Sequence, residues 1–93
     1  MIGVERKYLI TAEYGLHARP ATKIVNIAMG FKSEVFMVAQ EKKVNLKSIM
    51  GVMSLGIYKG EEISIIAEGD DQSDAINKIG EFLISQSLGK EVK

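Results

Sequence analysis

Apolar residues recur along the chain with two different periods, and the switches between them predict seven elements. Residues 7–12 are short and rich in strand formers, Tyr8, Leu9, Ile10 and Thr11 among them, and read as a strand. From 18 to 29, the positions Ala21, Ile24, Val25 and Ala28 follow helical spacing. Gly30 is placed to stop that helix at the left-handed C′ position. Residues 33–38 alternate as a second strand, with 42–46 as its hairpin partner. Ala39-Gln40-Glu41 joins them without the Asn-Gly pair of the tightest hairpins.

A brief helix follows Ser48, whose side chain suits an N-cap, with Ile49, Met50, Val52 and Met53 along it. Gly51 in its middle costs about 0.5–1 kcal/mol relative to alanine, which argues for a short element. Val52 and Leu55 read as core. Ile49, Met50 and Met53 are left as candidates for an exposed patch, because so dense an apolar group exceeds what one short helix buries, and methionine adapts to several partners. Residues 62–67 form a β-branched strand with Ile63, Ile65 and Ile66. Residues 72–88 close the chain as a helix with Ala75, Ile76, Ile79, Phe82 and Leu83 on one face. Asp70, Asp71 and Asp74 lie near its start, where the helix dipole favours negative charge. The order β-α-β-β-α-β-α predicts an α+β fold with an antiparallel or mixed sheet and helices on one face. No repeat or linker interrupts it, so the expectation is one domain over 1–93.

Composition narrows the function. Twelve basic residues balance twelve acidic ones, so the net charge is zero and the basic field that nucleic acids or anionic membranes require is missing. No apolar run approaches the ~20 residues of a membrane span. Residues 1–7 do not follow a signal peptide's order of charge before apolar stretch. With no cysteine, disulfides and thiol chemistry are excluded, and a cytoplasmic protein is the expectation. Glycine-rich phosphate loops in the standard spacings and paired histidines for zinc are absent, so no cofactor or metal is expected.

Two residues stand out chemically. His17, the one histidine, lies between Gly15 and a helix starting near Ala18, where unpaired N–H groups and the positive dipole end favour an anion. Arg19 adds a planar fork of donors suited to phosphate oxygens, and Pro20 is tolerated because a first turn does not need its N–H. A nucleophilic nitrogen, a cation and an anion site thus fall within four residues. The same residues read equally well as a capping histidine beside a surface arginine. Ser48 likewise reads either as an N-cap alone or as a phosphorylation switch, since a phosphate there adds about −1.5 to −2 charges at a helix start without unfolding it.

The segments Gly15-Leu16-His17-Ala18-Arg19-Pro20-Ala21 and Val44-Asn45-Leu46-Lys47-Ser48-Ile49-Met50-Gly51-Val52-Met53-Ser54-Leu55-Gly56 resemble the two signatures of the HPr family. These are the histidine-containing phosphocarriers of the bacterial phosphoenolpyruvate:sugar phosphotransferase system, and the second segment is similar to the Gram-positive version. The resemblance covers essentially the whole chain. It implies an open-faced β-sandwich of four antiparallel strands covered on one side by three helices. It implies that His17 takes phosphate on Nδ1 from phosphorylated enzyme I and passes it to sugar-specific IIA domains, with Arg19 stabilising the group. Ser48 would be the target of HPr kinase/phosphorylase, and the phosphoserine form would bind the catabolite-control transcription factor without touching DNA. Ala18, Arg19, Thr22, Ile49, Met50 and Met53 would form the shared docking surface of a monomer. A Crh-like regulatory paralogue acting mainly through Ser48 is the alternative. Tyr14 departs from the pattern, standing before the glycine where a smaller or more polar residue is expected.

Overall fold

The computed structural model describes residues 2–93. The chain runs β1 (Val4–Ile10), α1 (Ala18–Met29), β2 (Glu34–Ala39), β3 (Lys42–Asn45), α2 (Ile49–Ser54), β4 (Glu62–Glu68), α3 (Gln72–Ser85) and β5 (Gly89–Val92). The strands form one antiparallel sheet in the order β3-β2-β4-β1-β5. Its fold is the expected α+β arrangement of three helices on an antiparallel sheet, with a fifth strand added at one edge.

Strand alternation separates the two faces of this sheet. Tyr8 and Ile10, Val35 and Met37, and Ile63 and Ile65 turn inward and are buried. They meet the apolar stripes that helical spacing places on α1 (Ala21, Ile24, Val25, Ala28) and α3 (Ala75, Ile76, Ile79, Leu83). Val52 and Leu55 complete this core from the α2 side, as their pattern predicts. The opposite sheet face is open, and there the Lys43 ammonium sits 4.3 Å from the centre of the Phe36 ring.

Three local expectations are corrected. The β2–β3 connection is a two-residue hairpin after all: Ala39 pairs with Lys42, while Gln40 (φ 54°) and Glu41 (φ 64°) both take the left-handed conformation of a type I′ turn. Neither is Asn or Gly, and the Gln40 amide is held by the Glu61 carboxylate at 2.7 Å. Gly30 does not turn left-handed; at φ −76° it continues the helical path of α1 as a right-handed cap.

The last helix stops at Ser85 rather than Leu88. Ser87 adopts φ 55°, its N–H donates to the Ile84 carbonyl at 3.0 Å, and the Leu88 N–H donates to Leu83 at 2.9 Å. This is the paired bonding of a Schellman turn, built with serine where glycine is usual. The chain it redirects becomes β5, which pairs Gly89–Val92 with Ile10–Lys7. Asp71 stands at the start of α3, as expected, and leaves its side chain free of the helix's own N–H groups. Its carboxylate instead accepts the Lys32 and Ser33 backbone N–H groups and the Ser33 hydroxyl.

Candidate functional site

The loop after β1 is shaped by a turn and two anchors. The Gly15 N–H donates to the Ala12 carbonyl at 3.0 Å, and Gly15 takes φ 63°. A Cβ there would lie 2.1 Å from the Ile57 carbonyl oxygen, so only glycine fits the close approach. The next residue, Leu16, buries its side chain and donates its N–H to that same carbonyl at 3.1 Å. The chain then emerges at His17, extended at φ −75°, ψ −177°, as the N-cap of α1.

The carbonyl of His17 accepts the Ala21 N–H at 3.1 Å, which closes the first helical turn. The imidazole is exposed and makes no capping hydrogen bond. The helix therefore presents its first N–H groups, those of Ala18 and Arg19, without a side-chain acceptor supplied by the cap. Ala18 and Arg19 are exposed, Pro20 is buried, and the Thr22 hydroxyl donates back to the Ala18 carbonyl at 2.8 Å.

Beside His17 lies a shallow depression between the start of α1 and the end of α3, lined by His17, Arg19, Pro20, Lys23, Phe82, Gln86 and Leu88. Two cations line it and no carboxylate does. Pro20, Phe82 and Leu88 give it apolar walls. Lys23, Phe82, Gln86 and Leu88 were missed as site residues. Lys23 was within reach of sequence reasoning, because it stands four positions after Arg19 and shares its helix face. The residues at and just after the end of α3 carried no such signal, since only tertiary packing brings that helix end to His17. Tyr14 is 79 % exposed and does not line the depression.

Ser48 is elsewhere, at the N-cap of α2, where its hydroxyl oxygen accepts the Gly51 N–H at 3.1 Å and its carbonyl accepts the Val52 N–H. The loop before it is braced by Asn45, whose side chain accepts the Lys47 N–H at 2.8 Å, and by the Lys47 ammonium on the Phe31 carbonyl. Ile49, Met50 and Met53 are exposed on α2, Met50 at 81 %. The structure thus joins His17 and Arg19 in one depression and keeps Ser48 and the α2 residues outside it. Among the described residues, no group of three or more His, Cys, Asp or Glu side chains could hold a metal ion. No described helix is long and apolar enough to cross a membrane.

Comparison with known proteins decides the family. The family model described as the phosphotransferase-system HPr component phosphorylation site matches residues 4–85. The chain belongs to the HPr family.

Solved structures agree. The histidine-containing phosphocarrier protein of Mycoplasma is 41 % identical, with a TM-score of 0.91, over 94 % of this chain and 99 % of that one. HPr from Bacillus anthracis is 36 % identical, with a TM-score of 0.82, over 88 % of this chain and 98 % of its own. Crh from Bacillus subtilis, whose structure is a swapped, intertwined dimer, is 43 % identical, with a TM-score of 0.71, over 81 % of this chain and 86 % of its own. The general role that follows for this HPr-family chain is that of a phosphocarrier in the phosphotransferase system. The family match stops at residue 85, so β5 lies beyond it.

Proposed function

We propose that His17 accepts a phosphoryl group on Nδ1 from phosphorylated enzyme I and passes it to sugar-specific IIA domains in the cytoplasm. The supporting observation is the exposed imidazole at the uncapped start of α1, beside the Arg19 and Lys23 cations and facing no carboxylate in its depression. In the transfer, the imidazole nitrogen bonds to phosphorus as the bond from phosphorus to the donor breaks, and the second transfer repeats this with His17 as leaving group. Such chemistry depends on in-line positioning and on electrostatic stabilisation of the passing oxygens. The N–H groups of Ala18 and Arg19, with the Arg19 guanidinium, supply that stabilisation. The site is open and shallow, which suits a group that must be held briefly and released.

Ser48 is the proposed regulatory site, phosphorylated by HPr kinase/phosphorylase. Phosphorylation adds charge at the start of α2, beside exposed Ile49, Met50 and Met53, and so alters a docking surface without remodelling the core. The phosphoserine form would then bind the catabolite-control transcription factor. Ala18, Arg19 and Thr22 extend this surface onto α1, and a monomer is the working state. The Crh-like alternative is weaker because this chain retains the histidine that Crh lacks.

Incubation with phosphoenolpyruvate and enzyme I tests the central reading. An acid-labile phosphate is expected on the wild-type chain and none on His17→Ala. Folded protein that takes no label overturns it.

A further inference from the structure

We infer that the segment from Ser87 to Val92 is a strap that positions the His17 loop for phosphoryl transfer, with Leu88 as its positioning residue. This rests on the reading of His17 as phosphoryl acceptor. The strap begins where the Schellman turn at Ser87 throws the chain off the end of α3. Leu88 then makes two kinds of contact at once. Its carbonyl accepts the N–H groups of Thr11 at 2.9 Å and Ala12 at 3.2 Å, the residues that lead from β1 into the site loop. Its side chain, 8 % exposed, forms part of the wall of the depression beside His17.

Ala12 passes this restraint onward. Its N–H is held by Leu88, and its carbonyl accepts the Gly15 N–H, two residues before His17. On the other side, the Ile57 carbonyl holds Leu16. The loop is therefore tied at two points, and one of them belongs to the C-terminal segment. β5 keeps Leu88 in place by pairing with β1 over Lys7 to Ile10. Gly89 permits the close approach, since a Cβ there would fall 2.8 Å from the Leu9 carbonyl oxygen.

An exposed loop held at one end samples more orientations than a loop held at both, and transfer in line to phosphorus is sensitive to orientation. Losing the strap is therefore expected to slow the transfer step with little effect on docking, because Ile49, Met50 and Met53 on α2 and Thr22 within α1 lie outside the loop it holds. That separates positioning from instability. A partly unfolded population lowers the effective concentration of carrier and so raises its half-saturating concentration, leaving the maximal rate unchanged.

The test uses the full chain, a deletion of residues 88–93, and full-length Leu88→Ala and Leu88→Met. Transfer from pre-phosphorylated enzyme I is followed in single turnovers, and amide hydrogen exchange is followed at Gly15 and Leu16. The deletion and Leu88→Ala are expected to lower the maximal transfer rate roughly three- to tenfold, with the half-saturating concentration within about twofold of wild type, and to speed exchange at both amides. Leu88→Met, which restores side-chain volume, is expected to recover most of the rate. If the deletion does not fold, the two point variants decide the question by the same criteria. Wild-type rates and exchange in a folded deletion overturn the strap, and a wild-type rate in Leu88→Ala overturns Leu88 as its positioning residue. A wild-type chain that takes no phosphate overturns the His17 reading instead, and the exchange measurements then decide the bracing by themselves.

Discussion

The Asp71 carboxylate receives both the backbone N–H of Ser33, at 2.9 Å, and the Ser33 hydroxyl, and it also receives the Lys32 N–H at 2.9 Å. One side chain at the start of α3 thereby fastens the turn between α1 and β2. The Ser33 hydroxyl, followed by the backbone N–H groups, holds the Asp71 carboxyl well below its usual range, at about 2. Because the folded value is depressed from 3.8, this contribution to stability is complete above about pH 4 and fades as the pH falls toward 2. Thermal melts of wild type and Asp71→Asn are expected to differ most near neutral pH and to converge near pH 2. A gap that persists unchanged at pH 2 contradicts this account.

Gly80 lies in the middle of α3 because Tyr8 leaves no room for a side chain. A Cβ there would fall 2.3 Å from the Tyr8 hydroxyl oxygen but 3.4 Å from the ring carbon that bears it. Tyr8 is 1 % exposed, and burial pushes its phenol pKa upward against the opposing hydrogen bond and charge of Arg6. Alanine would gain up to about 1 kcal/mol in helix propensity, but overpacking costs roughly 1–3 kcal/mol, so Gly80→Ala is expected to destabilise. Adding Tyr8→Phe removes the clashing oxygen and should recover most of that loss. Urea unfolding of the four proteins in this double-mutant cycle measures the coupling.

Ser87 holds a left-handed conformation that L-residues with a Cβ adopt at a cost of roughly 1–2 kcal/mol. Ser87→Gly should relieve most of it, less the extra chain entropy of glycine, for a net stabilisation of about 0.5–1 kcal/mol. Denaturant midpoints report the change, and a destabilised variant would show that the serine side chain contributes something beyond the turn.

Loss of the cap at Ser48 has a structural and a chemical consequence that can be separated. Ser48→Ala leaves the Gly51 N–H without its acceptor and is expected to cost about 1 kcal/mol. Ser48→Asp keeps a capping oxygen and should retain most of the stability. Both variants should lose the acid-stable label that ATP and the cognate kinase place on wild type. Persistent labelling of Ser48→Ala would move the site elsewhere.

Met53 is 40 % exposed on α2, so a charge there disturbs no core packing. Met53→Glu is expected to fold with a melting temperature near that of wild type and to bind enzyme I about tenfold more weakly, the effect of losing roughly 1.4 kcal/mol at an interface. Titration calorimetry reads the affinity, and an unchanged value argues against the α2 patch.

Local pattern by itself determined much of this protein. The stripe Ala21, Ile24, Val25 and Ala28 predicted α1 to its observed ends, and alternation marked β2 as a strand, while Ile66, grouped with Ile63 and Ile65 as apolar, lies on the open sheet face. The same reasoning separated buried Val52 and Leu55 from exposed Ile49, Met50 and Met53, and placed Ser48 at an N-cap. These features depend on neighbours within one or two turns, so spacing reveals them. Tertiary structure alone decided the rest. β5 has one strand-forming residue, Val92, and exists because β1 offers an edge to pair with; no short-range pattern records that partner. The hairpin at Gln40 and Glu41 and the turn at Ser87 use residues that give no left-handed signal; distant Glu61 holds Gln40, and the strand that follows Ser87 is held by its pairing with β1. The His17 depression follows the same rule. Its α1 wall was legible from helical spacing, while its far wall of Phe82, Gln86 and Leu88 depends on where the end of α3 packs.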